Sequence, residues 1–333
     1  MKEKHRNVII APGKGMGNFI SMIGCFQTIA KKNNQKITIL TKASTSAKMY
    51  IIKQSFCNEV IYFEENKRGI FNVFYNLKIF FKLVFFLKNH KIENLYVLHP
   101  SKKYVLSALF ARVKNIYAPG YRFQNCLLPN KNKYYKSFFS KALDPLIESQ
   151  ELLKKIFDIS HLEKGLLTNT INYQKKYIGI CISCSGYERQ WGVENYFKVI
   201  SYLILKGYKK FIILSGKDQE KLEDKIISNI KKKFNHIEIV KTSKKKINFI
   251  NEKLKEVFLY VGNDTGIMHL SLAHGIRSIV IHGDCPPQHY SSMIYAVDNK
   301  NKIRSKTAIK KINFAQVKIA IDKVLKLERW PSG

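Results

Sequence analysis

Short apolar runs of strand length alternate with amphipathic helical stretches along this 333-residue chain, and that alternation constrains its fold more than any other feature. Val8–Ile10, Lys36–Thr41, Glu59–Phe63, Asn94–Leu98 and Asn115–Tyr117 read as strands, with helices at Phe19–Lys32 and Phe71–Leu87 between them. Around Ser160–Lys176 the pattern weakens and turns polar, as a linker would, and then restarts. Further strands are expected at Tyr177–Ser183, Lys210–Leu214, Ile237–Val240, Val257–Val261 and Ser278–His282. The helices between and after them are Val193–Lys206, Gln219–Phe234, Ile247–Glu256, Ile267–His274 and Phe314–Leu327. Strands separated by helices pair in parallel through crossover connections, which makes an α/β fold. Two consecutive doubly wound units are expected, residues 1–165 and 166–333, the second closing with the helix 314–327.

A hydrophobic content of 45% is enough to fill two cores, so a disordered chain is excluded. No stretch reaches the roughly 20 uncharged apolar residues of a membrane span. The best candidate, Phe71–Leu87, is interrupted by Lys78 and Lys82. Met1–Arg6 is polar and runs directly into Val8–Ile10, without the long apolar region of a signal peptide. The expected location is the cytoplasm, including the inner face of a membrane.

The formal charge is +34, from 58 basic and 24 acidic residues. Such a surplus attracts anionic partners, either a nucleic acid or an anionic membrane surface. Only eight of the basic residues are Arg, however, and the Lys residues are spread along the whole chain without a nucleic-acid-binding motif. No nucleic-acid partner is expected. The six cysteines do not suggest a disulfide framework in such a chain. Cys181-Ile-Ser-Cys184 lies in an apolar strand pattern, with no second pair to complete a zinc site, so no metal is expected.

Phe71–Leu87 carries two readings. Val73, Phe74, Leu77, Phe80, Phe81 and Val84 fall on one helical face, with Asn72, Asn76, Lys78 and Lys82 on the other. The preferred reading packs the apolar face on a sheet. The sharper one lays the helix on a membrane, its Lys residues among anionic head groups.

The most informative segment is Tyr260-Val-Gly-Asn-Asp264-Thr265-Gly266-Ile-Met-His269-Leu270. A strand ends, a polar Gly-flanked turn follows, and a helix opens near Thr265. Helix N-termini present free N–H donors and the positive end of a dipole, so this turn suits an anion. Asp264 and Thr265 are also residue types that cap helices. His269 lies one turn beyond Thr265 on the same face.

This segment resembles the GNDTGxMH signature of the heptosyltransferase-like glycosyltransferases, family 9. Other landmarks follow in order. Gly15-Met-Gly17-Asn18 resembles the family's GxGD turn, and Ser183-Cys-Ser-Gly186 with Arg189-Gln-Trp191 its Ser/Gly turn and Lys-x-Trp step. Gly216-Lys-Asp-Gln-Glu220 resembles its G-x-x-x-E, and Ile279-Val-Ile-His-Gly283 its apolar strand ending in Gly. The resemblance implies a GT-B fold, two Rossmann-like doubly wound domains facing a central cleft. The acceptor would bind residues 1–165 and a nucleotide-sugar donor residues 166–333. It implies inverting, metal-independent transfer of a sugar, heptose being the best-known case, from a nucleotide-diphosphate donor and without a further cofactor. The acceptor it implies is a lipid-linked glycan such as a lipopolysaccharide core.

Carried over by position, Asp264, Thr265 and Gly266 would hold the donor diphosphate, with His269 and Ser183 beside them. Arg189 stands where the family has Lys, and its fork can grip phosphate bidentately. Glu220 is the candidate for the ribose hydroxyls. Gly15 and Gly17 belong to the acceptor side, and Asn18 occupies the place of the family's catalytic Asp. A carboxamide is no base near neutral pH, so the resemblance leaves the proton acceptor open. His99, after a strand and followed by Pro-Ser-Lys102-Lys103, has a side chain suited to base work. Lys102 and Arg122, with Arg112, are candidates for acidic groups on the acceptor. Two other classes are weighed: a basic protein that binds nucleic acid or an anionic surface, and another GT-B enzyme such as a nucleotide-sugar epimerase. The latter shares the architecture but not the NDTGxMH helix start.

Overall fold

The computed structural model describes residues 7–13, 15–64, 72–99, 102–119, 133–134, 145–168, 173–283, 285–287, 290–299, 305 and 307–327. The chain divides into two compact units, Met1–Gly165 and Leu166–Gly333.

The first unit contains strands β1 (Asn7–Ile10), β2 (Ile37–Lys42), β3 (Cys57–Glu64), β4 (Asn94–Val97), β5 (Asn115–Pro119) and β6 (Lys133–Tyr134). They pair in the order β3-β2-β1-β4-β5-β6, every neighbour parallel. Its helices are α1 (Met16–Ile20), α2 (Ile23–Lys32), α3 (Asn72–Asn89), α4 (Lys102–Phe110) and α5 (Pro145–Phe157). Val8 and Ile10 of β1 and Leu95 and Val97 of β4 pack with Leu83 and Leu87 of α3 and Val105 and Ala108 of α4.

Three adjacent strands, β1, β4 and β5, each begin with Asn, and the register sets Asn7 beside Asn94 and Asn94 beside Asn115. Their amides form a one-directional ladder. Asn115 donates to Asn94 at 2.8 Å, Asn94 to Asn7 at 2.8 Å, and Asn7 to Gln35, just before β2, at 2.9 Å.

The expected helix Phe19–Lys32 is two helices. The Ser21 hydroxyl bonds the Asn18 carbonyl, and the Met22 N–H bonds the Phe19 carbonyl, so α1 closes with three-residue bonds before α2 starts. α3 is also apolar over a wider arc than expected. Ile79, Leu83 and Leu87 are buried, while Leu77 and Phe81, assigned from the sequence to the packed face, are exposed together with Phe85. Val73 and Phe74 lie outside the residues whose side chains are described.

The second unit contains β7 (Tyr177–Cys181), β8 (Lys210–Leu214), β9 (Glu238–Lys241), β10 (Val257–Asn263), β11 (Arg277–His282) and β12 (Ile294–Asp298). The order is β12-β11-β10-β7-β8-β9, again parallel throughout. Helices α6 (Val193–Leu205), α7 (Glu220–Lys233), α8 (Ile247–Leu254), α9 (Gly266–Ala273) and α10 (Phe314–Lys326) join and close it. β7 and β10 are buried along their whole length, as central parallel strands covered on both faces are. Seen from either end, both sheets have the same open doubly wound order, with the two halves diverging from a central strand pair.

Among the described residues, no helix is long and apolar enough to cross a membrane. Cys181 lies buried in β7 and Cys184 half-buried in the loop after it, and burial pushes both thiols up.

Candidate functional site

In the second unit the central pair is β7 and β10. From β7 the chain winds one way, to β8 and β9, and from β10 the other way, to β11 and β12. Loops leaving their carboxyl ends therefore part, and ligands of open α/β sheets bind in the gap. A solvent-open concavity of about 350 Å³ lies there, lined by Cys184, Ser185, Arg189, Asn263, Asp264, Ile281, Gly283 and Ile309.

Two glycines allow close packing around it. A Cβ on Gly262 would stand 2.3 Å from the Cys181 carbonyl oxygen, so the close approach of β10 to β7 admits no side chain. One on Gly283 would meet Ile309 Cβ at 2.9 Å.

The Arg189 guanidinium donates to Ser185 Oγ within the same loop. Trp191 is a structural anchor: it is buried, donates from Nε1 to the Ile312 carbonyl at 2.6 Å, and packs edge-on to Tyr196. Tyr196 in turn donates to Asn263 Oδ1 at 2.9 Å, while Asn263 Nδ2 donates to the Ser183 carbonyl at 3.1 Å. Asn263 is thus pinned from both sides, and with it the start of the turn that carries Asp264.

Thr265 is the N-cap of α9, in extended conformation, yet no side chain caps the helix. The sequence-based capping role of Asp264 and Thr265 is corrected here. Thr265 Oγ1 faces Cys181 Sγ at 3.8 Å. The Asp264 carboxylate turns to two imidazoles, His282 Nδ1 at 3.5 Å and His269 Nε2 at 3.7 Å. Among the described residues, no side chain caps the first N–H groups of α9.

Burial opposes ionisation of Asp264, but His282 and then His269 outweigh it and hold the carboxyl below its ordinary range. Burial lowers His269, against the pull of Asp264. Its Nδ1 meets the Tyr290 hydroxyl and its ring stacks on Tyr290 with centroids 5.6 Å apart. Burial pushes the Tyr290 hydroxyl up, and Asp264 adds to it. His282 is 0% exposed, and among the described residues its ring nitrogens have no hydrogen-bond partner closer than the 3.5 Å approach to Asp264.

The structure lines the concavity with Arg189 and Asp264, and sets His269 and the start of α9 at Thr265 and Gly266 beside Asp264 rather than in the lining. It does not bring in Glu220, whose carboxylate pairs with Lys244 at 2.6 Å and does not line the concavity. Its neighbour Gln219 takes the nearer place, accepting from the Gly216 N–H at 2.9 Å and donating to the Cys184 carbonyl at 3.1 Å. Ser183 contributes its carbonyl rather than a lining hydroxyl. Among the described residues, no group of three or more His, Cys, Asp or Glu side chains is disposed to hold a metal ion.

Sequence reasoning missed His282, Tyr290, Asn263 and Tyr196. Only His282 left a trace, a polar residue ending the otherwise apolar run Ile279–Ile281 at a carboxyl strand end.

In the first unit, Gly15, Gly17 and Asn18 follow β1, and His99 follows β4, whose Leu98 N–H bonds the Ile10 carbonyl. Asn18 and His99 therefore share the carboxyl edge at the central pair of that sheet, Asn18 exposed and His99 half-buried. Lys102 begins α4, and its side chain lies outside the described residues, as does the whole of Arg122. Arg112 sits in the turn that enters β5, at the opposite, amino edge of the sheet. It is removed from the acceptor candidates.

None of the curated proteins compared with the chain matches it. Many solved structures share its fold, these three among them. One is a family 9 glycosyltransferase from Veillonella parvula DSM 2008, with TM-score 0.72 and 14% identity over 98% of this chain and 99% of that one. The second is the E. coli ADP-heptose lps heptosyltransferase II, with TM-score 0.69 and 14% identity over 96% and 99%. The third is an E. coli heptosyltransferase crystallised with ADP-2-deoxy-2-fluoro heptose, with TM-score 0.66 and 14% identity over 96% and 99%. The model of glycosyltransferase family 9 (heptosyltransferase) matches residues 134–320, more than half of the sequence. With the doubled Rossmann-like α/β architecture of a GT-B enzyme and that match, the chain belongs to glycosyltransferase family 9.

Proposed function

We propose that the second unit binds an ADP-linked heptose and that the enzyme transfers the sugar, with inversion and without a metal, to a lipid-linked glycan of the lipopolysaccharide-core type. The observation that carries this is the convergence of Arg189 and Asp264 on one concavity at the β7/β10 switch point, with the uncapped α9 starting directly after Asp264. The E. coli heptosyltransferase crystallised with an ADP-heptose analogue supports the choice of nucleotide and sugar.

An acceptor hydroxyl oxygen attacks the anomeric carbon on the face opposite the diphosphate. The carbon–oxygen bond to the diphosphate breaks, and its electron pair leaves with ADP. The Arg189 guanidinium and the α9 N–H groups meet the charge that develops on the leaving oxygens. The Asp264 carboxylate does not face those oxygens. At 4 Å, two unit negative charges repel by about 4 kcal/mol in an effective dielectric of about 20. Held ionised by two imidazoles, Asp264 is placed instead to accept hydrogen bonds from hydroxyls of the sugar. In the first unit, His99 takes the acceptor's proton and the Asn18 amide orients the acceptor, with Gly15, Gly17 and Lys102 beside them. The enzyme works at the cytoplasmic face of the membrane that holds its acceptor.

Calorimetry with ADP, UDP, GDP and CMP tests the donor assignment. ADP and ADP-heptose are expected to bind at one site per chain and the other nucleotides much more weakly. A preference for another nucleotide, or no nucleotide binding, overturns it.

A further inference from the structure

α3 leaves an apolar stripe on the surface of the first unit. Leu77, Phe81 and Phe85 recur at one-turn spacing and are 49%, 64% and 69% exposed. Phe110, at the end of α4, is 69% exposed and adjoins them through Phe80, whose ring centroid lies 5.5 Å from Phe110 and 5.4 Å from Phe81. Three exposed phenylalanines on neighbouring helices form a patch, not the scattered apolar residues of an ordinary surface.

The charge beside it has one sign. On α3, Lys78 and Lys82 are exposed along one flank of the stripe and Lys88 at its end. Neither α3 nor α4 contains an acidic residue. The next acidic side chain along the chain, Glu93, faces Lys114 at 3.9 Å. An arc of bulky apolar side chains edged by lysines fits the boundary between acyl chains and anionic head groups, where Lys stems lie along apolar surface and their tips reach phosphate. A second copy of the chain fits it poorly. Two stripes face to face would set lysines against lysines in molecules that each carry a formal charge of +34.

We propose that Leu77, Phe81, Phe85 and Phe110, with Lys78, Lys82 and Lys88, form the surface by which this enzyme docks on an anionic lipid bilayer. The stripe lies in the unit to which the acceptor is assigned, so docking would bring a lipid-linked acceptor to the enzyme without the chain crossing the membrane. The inference stands on the patch and is tested without nucleotide.

The test is sedimentation of the full chain with vesicles of phosphatidylglycerol or of phosphatidylcholine. Pelleting is expected with phosphatidylglycerol only, and it should fade as salt rises, because surface attraction is screened within a Debye length. Phe81→Ser with Phe85→Ser should weaken that binding about tenfold or more, as should Lys78→Glu with Lys82→Glu. Both side-chain pairs are exposed, and an unchanged circular-dichroism spectrum and urea midpoint in each variant would verify its fold apart from the membrane result. Phe85→Trp should shift its emission to the blue on phosphatidylglycerol vesicles. Equal pelleting on both lipids, Ser variants that bind as well as the parent, or no shift at Trp overturns the proposal. It is also overturned if the Ser variants convert an oligomer to monomer in sedimentation velocity while vesicle binding is unchanged.

Discussion

Acidification should weaken the second unit in part through a buried imidazole, His274. It ends α9 with 8% exposure, its Nε2 2.9 Å from Asn251 Oδ1 and its Nδ1 buried without a partner. A second proton on the ring would sit at Nδ1, where the described residues offer no acceptor. Burial first, then Lys255 and Lys175 against Glu252, lower its pKa to about 4 from an ordinary 6.5. A histidine depressed in the fold contributes stability that is full above its unfolded value and is lost as pH falls from there toward the folded value. At about pH 5 the medium is roughly 1.5 units below the unfolded value, and each unit is worth about 1.4 kcal/mol, so His274 costs about 2 kcal/mol relative to about pH 7.5. His274→Gln removes the titration, and its amide can still donate to Asn251. Urea unfolding followed by Trp191 fluorescence, in a Trp330→Phe background, measures both proteins at the two pH values. His269, also depressed, acts equally in both proteins. Asp264, depressed as a carboxyl, keeps its contribution above its unfolded value of about 3.8 and so is silent in this window. The parent is expected to lose about 2 kcal/mol more than the variant. Equal losses would refute the reasoning.

Arg189→Ala should weaken ADP affinity about 10- to 150-fold, since a hydrogen bond to a charged group contributes roughly 1.5–3 kcal/mol. Unchanged affinity by calorimetry in a folded variant would take Arg189 out of the site. If His99 takes the acceptor proton, His99→Ala should lower turnover by about 10²–10⁴-fold, and Asn18→Ala by much less, with ADP affinity kept in both. Normal turnover of His99→Ala would leave that role to another group, and an Asn18→Asp variant much faster than the parent would point to position 18 itself.

Much of this fold is legible in the sequence because parallel strands buried on both faces leave near-continuous apolar runs. Lys210–Leu214 needs no correction, and most other strands shift by one or two residues. The elements missed lack that signature. β12 buries only Val297 fully, so its pattern is faint, and α5 carries Ser149 on its buried face, where the hydroxyl bonds the Pro145 carbonyl. In the site, the Gly262–His269 segment is readable because its turn and helix start are local. The clamp on Asp264 is not, because His282 and Tyr290 reach it from other strands and loops and their spacing carries no period. α3 misled for a different reason. It is apolar around more than half its circumference, so periodicity alone could not say which apolar arc the sheet would take.

The amide ladder Asn115–Asn94–Asn7–Gln35 has a consequence that the titrating groups lack. Its donors and acceptors are all neutral carboxamides, so no proton taken up or released between mild acid and mild alkali adds or removes a link. Where β1, β4 and β5 begin, alignment is therefore indifferent to protonation, at the edge of the sheet opposite Asn18 and His99. If the first unit takes an acceptor's proton at that edge, as proposed above, its strands are held in register from the other.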